Sequence, residues 1–136
     1  MSDTKDAVAI AVGTDRDLGV DIETMSRKVD HDAVGQHYFT PEEMASIGSS
    51  PDQKRRFLDY WTRKEAVLKA SGVGIMDDLR VLRVDAPLNR MTITHAAFIA
   101  LAAPEYHLRT WHLGESHIIS LASSREVGAI RFFSVA

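Results

Sequence analysis

The stretch Tyr60-Trp61-Thr62-Arg63-Lys64-Glu65-Ala66-Val67-Leu68-Lys69-Ala70-Ser71-Gly72 predicts the second half of a long helix. Good helix formers fill it, and no proline falls between Asp52 and Gly72. Ser71-Gly72 ends it, because glycine tolerates the left-handed conformation after a last helical turn. On a 3.6-residue period, Glu65 falls in one row with the apolar residues Phe57, Trp61 and Leu68.

Glu65 on this apolar row has two interpretations. A buried carboxylate is costly unless a positive group meets it, and Lys69, one turn on, could be that partner. Such an i,i+4 pair at the edge of the core would be purely structural. The alternative is that Glu65 joins other carboxylates in a functional site.

Candidate partners for Glu65 lie upstream, in Leu18-Gly19-Val20-Asp21-Ile22-Glu23. Side chains alternate along a strand, so Asp21 and Glu23 share one face, roughly 6 to 7 Å apart. They repel each other unless a cation lies between them or arginines surround them. With Glu65 added, the set is oxygen-rich and suits Mg²⁺. For Asp-x-Glu alone, a solvated strand face with two unrelated acids remains the structural alternative.

Three segments together resemble the signature of the 4′-phosphopantetheinyl transferases. They are Gly19-Val20-Asp21-Ile22-Glu23, Phe39-Thr40-Pro41-Glu42-Glu43 and Trp61-Thr62-Arg63-Lys64-Glu65-Ala66-Val67-Leu68-Lys69. The Asp-Ile-Glu triplet and the tryptophan before Lys-Glu-Ala are similar to the surfactin-synthetase-activating type. The resemblance runs from about Gly19 to Gly74, and beyond that it rests on a strand-rich tail.

The resemblance implies a reaction, a cofactor and partners. Enzymes of this family move the phosphopantetheine arm of coenzyme A onto a serine of an acyl or peptidyl carrier protein and release 3′,5′-ADP. It implies Mg²⁺ held by Asp21, Glu23 and Glu65, with Glu65 also a candidate base for the serine proton. Lys69 would contact a phosphate of coenzyme A as a point charge. Lys64 is a further candidate for coenzyme A binding, although it lies about 100° round the helix from Glu65.

A basic first turn opens the same helix with Lys54, Arg55 and Arg56, against the usual preference of the helix dipole. These side chains are either solvated charge or a docking contact for an acidic carrier protein. The six histidines show no zinc-binding spacing: His107, His112 and His117 are five residues apart, which fits neither a helix face nor a strand face.

Length and composition indicate a globular chain. The 136 residues predict one domain, 1–136, with 45% hydrophobic and 26% charged residues. The formal net charge of −3 gives no reason to expect nucleic-acid binding. The absence of cysteine excludes disulfides and thiolate metal sites. No apolar run reaches membrane-spanning length and no signal-peptide core opens the sequence, so we expect no membrane partner and a cytoplasmic location.

The predicted fold class is α+β, a phosphopantetheinyl transferase-like fold with a largely antiparallel sheet packed against the long helix. Ala7–Val12 is predicted to be a buried strand in a hairpin with Leu18–Glu23, and Ser26–Tyr38 a short helix. Thr40, Pro41 and Glu43 predict a helix start with a capping box, and Ser50-Pro51-Asp52-Gln53 predicts a second one. Residues 95–103 fit a strand or a helical turn, and Gly114-Glu115-Ser116 a hairpin turn. Further strands are predicted at 79–84, 91–94, 108–113, 118–122 and 129–135.

The chain resembles only the second half of a two-half surfactin-type enzyme, which binds coenzyme A between its halves. Single-half relatives, the holo-acyl-carrier-protein synthases, assemble as trimers. We therefore expect a homo-oligomer, trimer or dimer, with coenzyme A bound between subunits. Its interface is expected to bury the apolar surface of the strands at 7–12 and 118–122. Two other functions stay open: a non-catalytic half that binds coenzyme A or a partner, and a Mg²⁺-dependent phosphohydrolase using the same three acids.

Overall fold

The computed structural model describes residues 1–14, 16–28, 35, 37–74, 78–84 and 89–134. Within these residues, six strands, three α-helices and a short 3₁₀ helix follow one another along the chain. In chain order they are β1 (Ser2–Thr4), β2 (Ala7–Ala9), β3 (Leu18–Thr24), α1 (Pro41–Gly48), α2 (Gln53–Ser71), the 3₁₀ helix (Leu79–Val81), β4 (Arg90–Thr92), α3 (Ala96–Leu101), β5 (Glu105–Leu113) and β6 (His117–Ser123). Among the described residues, no helix is long and apolar enough to cross a membrane.

A four-stranded antiparallel sheet in the order β3-β6-β5-β4 forms the centre of the fold. Strands β5 and β6 form a hairpin whose turn contains Gly114 at φ 58°. Helix α2 packs on one face of this sheet, and β1 and β2 form a separate two-stranded ribbon. The predicted α+β class, with an antiparallel sheet against the long helix, is confirmed.

Helix α2 lies unusually close to β3, because the strand has a glycine where the two backbones meet. A Cβ atom at Gly19 would stand 2.0 Å from the carbonyl oxygen of Ala66 and 2.4 Å from the amide nitrogen of Ala70. The buried face of the helix includes Phe57, Leu58, Ala66 and Val67, all without solvent exposure. This close approach brings the helix-facing side chains of β3 up against α2.

Both ends of α2 have local causes. The Asp52 side chain accepts a hydrogen bond from the Arg55 amide and caps the first turn, whereas Gly72 at φ 68° ends the last one. The predicted end is confirmed, and the helix starts with Asp52 as cap rather than Ser50. In α1 the predicted capping box is present: Thr40 Oγ1 accepts from the Glu43 amide while Glu43 Oε1 accepts from the Thr40 amide.

A buried ion pair joins α1, α2 and the 3₁₀ helix. Glu43 and Lys64 are both fully buried, and Lys64 Nζ lies 2.8 Å from Glu43 Oε1. The same ammonium donates to the carbonyl oxygens of Tyr38 and Leu79, and Glu43 Oε2 accepts from the Val84 amide. A buried pair satisfied in this way holds the three elements in one arrangement.

The outer face of the sheet, opposite α2, has a smaller apolar cluster. Its buried members are Val20, Ile22 and Ile119. Small residues from the amino-terminal segment pack on it, namely Ala7, Ala9 and Ala11. Phe132 lies edge-on to Trp111 there, with ring centroids 4.7 Å apart. The segment that was predicted to be a strand at 129–135 has no regular secondary structure over its described residues, 129–134.

The predicted hairpin between residues 7–12 and 18–23 is wrong. Strand β2 ends at Ala9 and pairs with β1, with Ser2 opposite Ala9, whereas β3 pairs with β6. Because the alanines face the sheet, Val8, Ile10 and Val12 point outward and are 62%, 69% and 91% exposed. The strand Ile118–Ala122, which we expected to need cover, is instead covered by α2 and the outer cluster.

Of two further local predictions, the strand at 79–84 is wrong, and the helical alternative for 95–103 is confirmed. Residues 79–81 form a 3₁₀ helix rather than a strand. The Asp78 side chain caps this turn by accepting a hydrogen bond from the Arg80 amide, and the turn directs Leu79 and Leu82 into the core. Residues 96–101 are helical, with His95 accepting from the Phe98 amide. Most of the helix predicted at Ser26–Tyr38 lies outside the described residues.

Candidate functional site

Two carboxylates on β3 face helix α2. Since side chains alternate along the strand, Val20 and Ile22 enter the outer cluster while Asp21 and Glu23 turn toward the helix. Both acids are largely buried, with 5% and 9% of their surface exposed. Their position is fixed by the pairing of β3 with β6, in which Asp21 lies opposite Ser120.

Glu65 supplies a third carboxylate from α2. Burial raises its pKa most, and the negative charge of Asp21 raises it further, with a smaller contribution from Glu23. The positive charges of Lys69 and Arg27 act in the opposite direction. The strand acids Asp21 and Glu23 thus both influence the pKa of Glu65 on the helix.

The two oxygens of Asp21 have different surroundings. Oδ1 accepts from the Lys69 ammonium at 2.7 Å and from the Ser2 hydroxyl at 3.1 Å. Oδ2 is buried and has no hydrogen-bond partner among the described residues. Burial raises the pKa of Asp21, and the contacts with Lys69 and Ser2 oppose that rise. Lys69 therefore pairs with Asp21 across the strand–helix contact.

Glu23 is neutralised by an arginine that sequence reasoning did not identify. Arg27, four residues on, forms an ion pair with Glu23, and its guanidinium lies 4.9 Å from the ring centroid of Trp61. Trp61 in turn stacks on Tyr38, with ring centroids 4.5 Å apart. Burial raises the pKa of Glu23, Arg27 lowers it and Asp21 raises it. The i,i+4 spacing of Glu23 and Arg27 was the available signal.

The donor chemistry of this site fits a hard divalent cation. Carboxylates contributed by a strand and a facing helix, one of them with a buried and unpartnered oxygen, have the donor chemistry of oxygen-ligated metal sites. In the described conformation no group of three histidine, aspartate or glutamate side chains is arranged around a common metal position. Instead Lys69 and Arg27 neutralise Asp21 and Glu23. Asp21 Oδ2 takes part in neither of these contacts.

An open groove of about 520 Å³ begins at Glu23. Three cationic side chains, three hydroxyl side chains and the carboxylate of Glu23 line it. The lining residues are Thr4, Lys5, Glu23, Thr24, Ser26, Arg27 and Lys28. Sequence reasoning missed Thr4 and Lys5, because the strand β1 that places them beside β3 was not predicted.

The remaining predicted residues lie elsewhere on α2. Lys64 is fully buried in its ion pair with Glu43, so its position does not support a contact with coenzyme A. Lys54, Arg55 and Arg56 are half-exposed in the first turn. Arg56 donates to the hydroxyl and carbonyl oxygens of Ser46, which ties α2 to α1. Carrier docking by this turn stays a prediction.

A row of polar side chains crosses the sheet beneath α2, starting from Asp21. Ser120 and Thr110 follow in register on β6 and β5, and their hydroxyl oxygens lie 2.9 Å apart. Thr62 and Arg63 of α2 bond to them at 2.7 Å and 3.1 Å. At the far end, His112 Nε2 lies 2.6 Å from Asp59 Oδ1. Burial raises the pKa of Asp59, and His112 opposes the rise.

Fold and site together define an α+β protein with an acidic site where an edge strand meets one long helix. The model of the 4′-phosphopantetheinyl transferase superfamily matches residues 17–122, which include β3, α2 and all three acids. The chain belongs to this superfamily. The resemblance inferred from the three sequence segments is thereby confirmed.

Individual relatives agree with this assignment. The chain is 35% identical over 77 residues to the 4′-phosphopantetheinyl transferase HetI of Nostoc sp., a match that covers 55% of this chain and 32% of HetI. It is 36% identical over 81 residues to slr0495 of Synechocystis sp., to which the same activity is provisionally ascribed, covering 58% and 33%. It is also 32% identical over 75 residues to fatty acid synthase subunit alpha of Saccharomyces cerevisiae, covering 50% and 4%. The matches to the first two relatives thus span about a third of their lengths.

Proposed function

We propose that this chain transfers the 4′-phosphopantetheine group from coenzyme A to a serine of an acyl or peptidyl carrier protein. The observation that carries the proposal is the meeting of Asp21 and Glu23 from β3 with Glu65 from α2, inside the segment that matches the superfamily. The name of HetI and the similarity to a fatty acid synthase subunit support the same chemistry.

Asp21, Glu23 and Glu65 are the residues that would hold Mg²⁺. When bound, the ion would neutralise the diphosphate and the charge that develops on the leaving group. The unpartnered Asp21 Oδ2 supports this assignment, since a buried carboxylate oxygen without a donor is otherwise costly.

Glu65 is also the proposed general base. In the reaction the serine oxygen bonds to the phosphorus of the phosphopantetheine arm, and the bond from that phosphorus to the 3′,5′-ADP oxygen breaks. The serine proton goes to Glu65, the carboxylate that α2 adds to the site. Lys69, whose Nζ lies 2.7 Å from Asp21 Oδ1, would contact a phosphate once that ion pair opens.

The test is to incubate the protein with coenzyme A, Mg²⁺ and an apo carrier protein and to determine the mass of the carrier. A gain of one phosphopantetheine group is the expected result. Cleaved coenzyme A with an unchanged carrier would indicate a phosphohydrolase instead. No change in either would indicate a non-catalytic binding half, and both of these outcomes contradict the proposal.

Substitution of the acids tests the assignment of the site. Glu65→Gln or Asp21→Ala should lower turnover by orders of magnitude, because each removes a charge that the cation and the proton transfer need. Glu42→Gln, at an exposed position of α1, is the matched control and should leave turnover unchanged. Near wild-type turnover of either site variant at saturating Mg²⁺ would refute the assignment.

A further inference from the structure

Ser2 makes two hydrogen bonds, and both reach β3. Its hydroxyl oxygen accepts from the Ile22 amide at 3.1 Å and lies 3.1 Å from Asp21 Oδ1. A hydroxyl has one donor hydrogen, and an amide can only donate. The hydroxyl hydrogen is therefore directed at Asp21. Ser2 is 5% exposed, so water competes little for either bond.

The position of Ser2 comes from the amino-terminal ribbon. Strand β1 pairs with β2 and packs beside β3, which is an edge strand of the four-stranded sheet. Ser2 thus connects a separate ribbon to the strand that presents Asp21 and Glu23. Its two partners are neighbours on that strand, one backbone amide and one carboxylate.

As a consequence, the two oxygens of the Asp21 carboxylate differ in their hydrogen bonding. Asp21 Oδ1 receives donors from Ser2 and Lys69, whereas Oδ2 is buried and receives none among the described residues. Two donors on one oxygen restrict rotation of the carboxylate plane. The Lys69 side chain is 38% exposed on a flexible stem, whereas Ser2 is held in place by its bond from Ile22.

We propose that Ser2 is a positioning residue that fixes the Asp21 carboxylate so that Oδ2 stays directed at a divalent cation shared with Glu23 and Glu65. The identity of the cation as Mg²⁺ rests on the proposed function. The positioning itself rests on the contacts of Ser2 and Asp21 alone. Partners that orient metal ligands change metal affinity by about 10- to 100-fold when removed.

The experiment measures cation binding in the absence of coenzyme A and carrier protein. Mn²⁺ is titrated into the protein, free Mn²⁺ is followed by electron paramagnetic resonance, and bound Mn²⁺ is displaced with Mg²⁺. Ser2→Ala should bind Mn²⁺ about tenfold more weakly than the wild type. Ser2→Thr keeps the hydroxyl and should restore the affinity.

Thr92→Ala is the matched control. Thr92 also carries a hydroxyl, but it is exposed and lies on β4, at the opposite edge of the sheet from β3. It should bind Mn²⁺ like the wild type. Circular dichroism melting of all variants separates loss of affinity from loss of β1: weaker binding together with a wild-type folded fraction supports positioning.

Three outcomes overturn the proposal. They are an Mn²⁺ affinity of Ser2→Ala equal to that of the wild type, a failure of Ser2→Thr to restore the affinity, and the absence of any Mn²⁺ binding by the wild type. Failure of the proposed function looks different: wild-type protein would bind Mn²⁺ with the Ser2 dependence described, yet leave the apo carrier unmodified. In the active enzyme, Ser2→Ala should raise the Mg²⁺ concentration for half-maximal rate about tenfold and change kcat little at saturation.

Discussion

Asp21, Glu23 and Glu65 all have raised pKa values, because each is partly removed from water, and the negative charge of Asp21 adds to the rise at Glu23 and Glu65. Ionisation of these groups therefore costs the folded state free energy. From the ordinary values of 3.8 and 4.5 upward to the raised folded-state values, the folded protein holds more protons than the unfolded chain. The contribution of these three groups to the free energy of unfolding therefore falls with rising pH across that window and is constant above it.

This sign gives a prediction for the metal-free protein. Its free energy of unfolding, measured by urea denaturation between pH 4 and pH 8, should fall as the pH rises. The free energy of unfolding of Glu65→Gln should fall less over the same range, because this variant lacks one titrating carboxylate and the charge repulsion that it causes. Adding Mg²⁺ at neutral pH should stabilise the wild type more than the variant. Glu42→Gln serves as control. Parallel pH profiles for wild type and Glu65→Gln would contradict the grouping of the three acids.

Lys69 allows a second prediction at this scale. A charge-assisted hydrogen bond to a phosphate contributes roughly 1.5 to 3 kcal/mol, so Lys69→Ala should lower kcat/KM for coenzyme A by about ten- to a hundredfold. Arg90→Ala removes an exposed ion pair with Glu105 on β4 and β5 and should leave kcat/KM unchanged. If Lys69→Ala lowers stability and leaves kcat/KM intact, the pair with Asp21 is purely structural.

At the scale of elements, the Lys64–Glu43 pair is predicted to stabilise the fold. Lys64→Ala leaves the Glu43 carboxylate buried without its ammonium and should lower the free energy of unfolding by about 3 to 5 kcal/mol. Lys54→Ala, in the half-exposed first turn of α2, should change it by less than about 0.5 kcal/mol. Chemical denaturation measures both. A stable Lys64→Ala protein with weakened use of coenzyme A would restore the cofactor role predicted from sequence.

Local signals made much of the site predictable. The two-residue alternation placed Asp21 and Glu23 on one face, and the 3.6-residue period placed Glu65 on the buried row of α2. The capping box and the glycine at the end of α2 are also local. These features need no knowledge of distant partners.

Pairing between distant segments was not predictable in this way. The run at residues 7–12 has strand-like composition, but composition does not say that Ser2–Thr4 pairs with it or that β6 pairs with β3. As a result Ser2 and Lys5, brought to the site by β1, were missed. The burial of Lys64 was not predictable for a related reason, since its partner Glu43 is contributed by another helix.

At the scale of the whole molecule, apolar side chains stay exposed on two segments that cover the outer face of the sheet. They are Val8, Ile10, Val12, Phe132 and Phe133. Exposed apolar surface of this kind favours association. In the proposed function, the three acids would hold the cation and Lys69 would contact one phosphate, and no residue is proposed to bind the nucleotide of coenzyme A.

We therefore predict a homo-oligomer, trimer or dimer, with coenzyme A between subunits. Light scattering across a dilution series should give a mass that is a multiple of the 15.1 kDa chain and should fall on dilution. Val12→Ser combined with Phe133→Ser should shift the equilibrium toward monomer and weaken coenzyme A binding in parallel. Full-affinity binding by a strict monomer would show that one chain provides the whole pocket.

The close contact of Gly19 with Ala66 also protects the site against misalignment during folding. If β3 slipped by one residue along α2, Leu18 or Val20 would have to occupy a space that does not admit even a methyl group. The same slip would turn Asp21 and Glu23 to the outer face, because strand faces alternate with every residue. Gly19 thus disfavours a shifted register by steric exclusion, in addition to the pairing of β3 with β6 that sets the correct one.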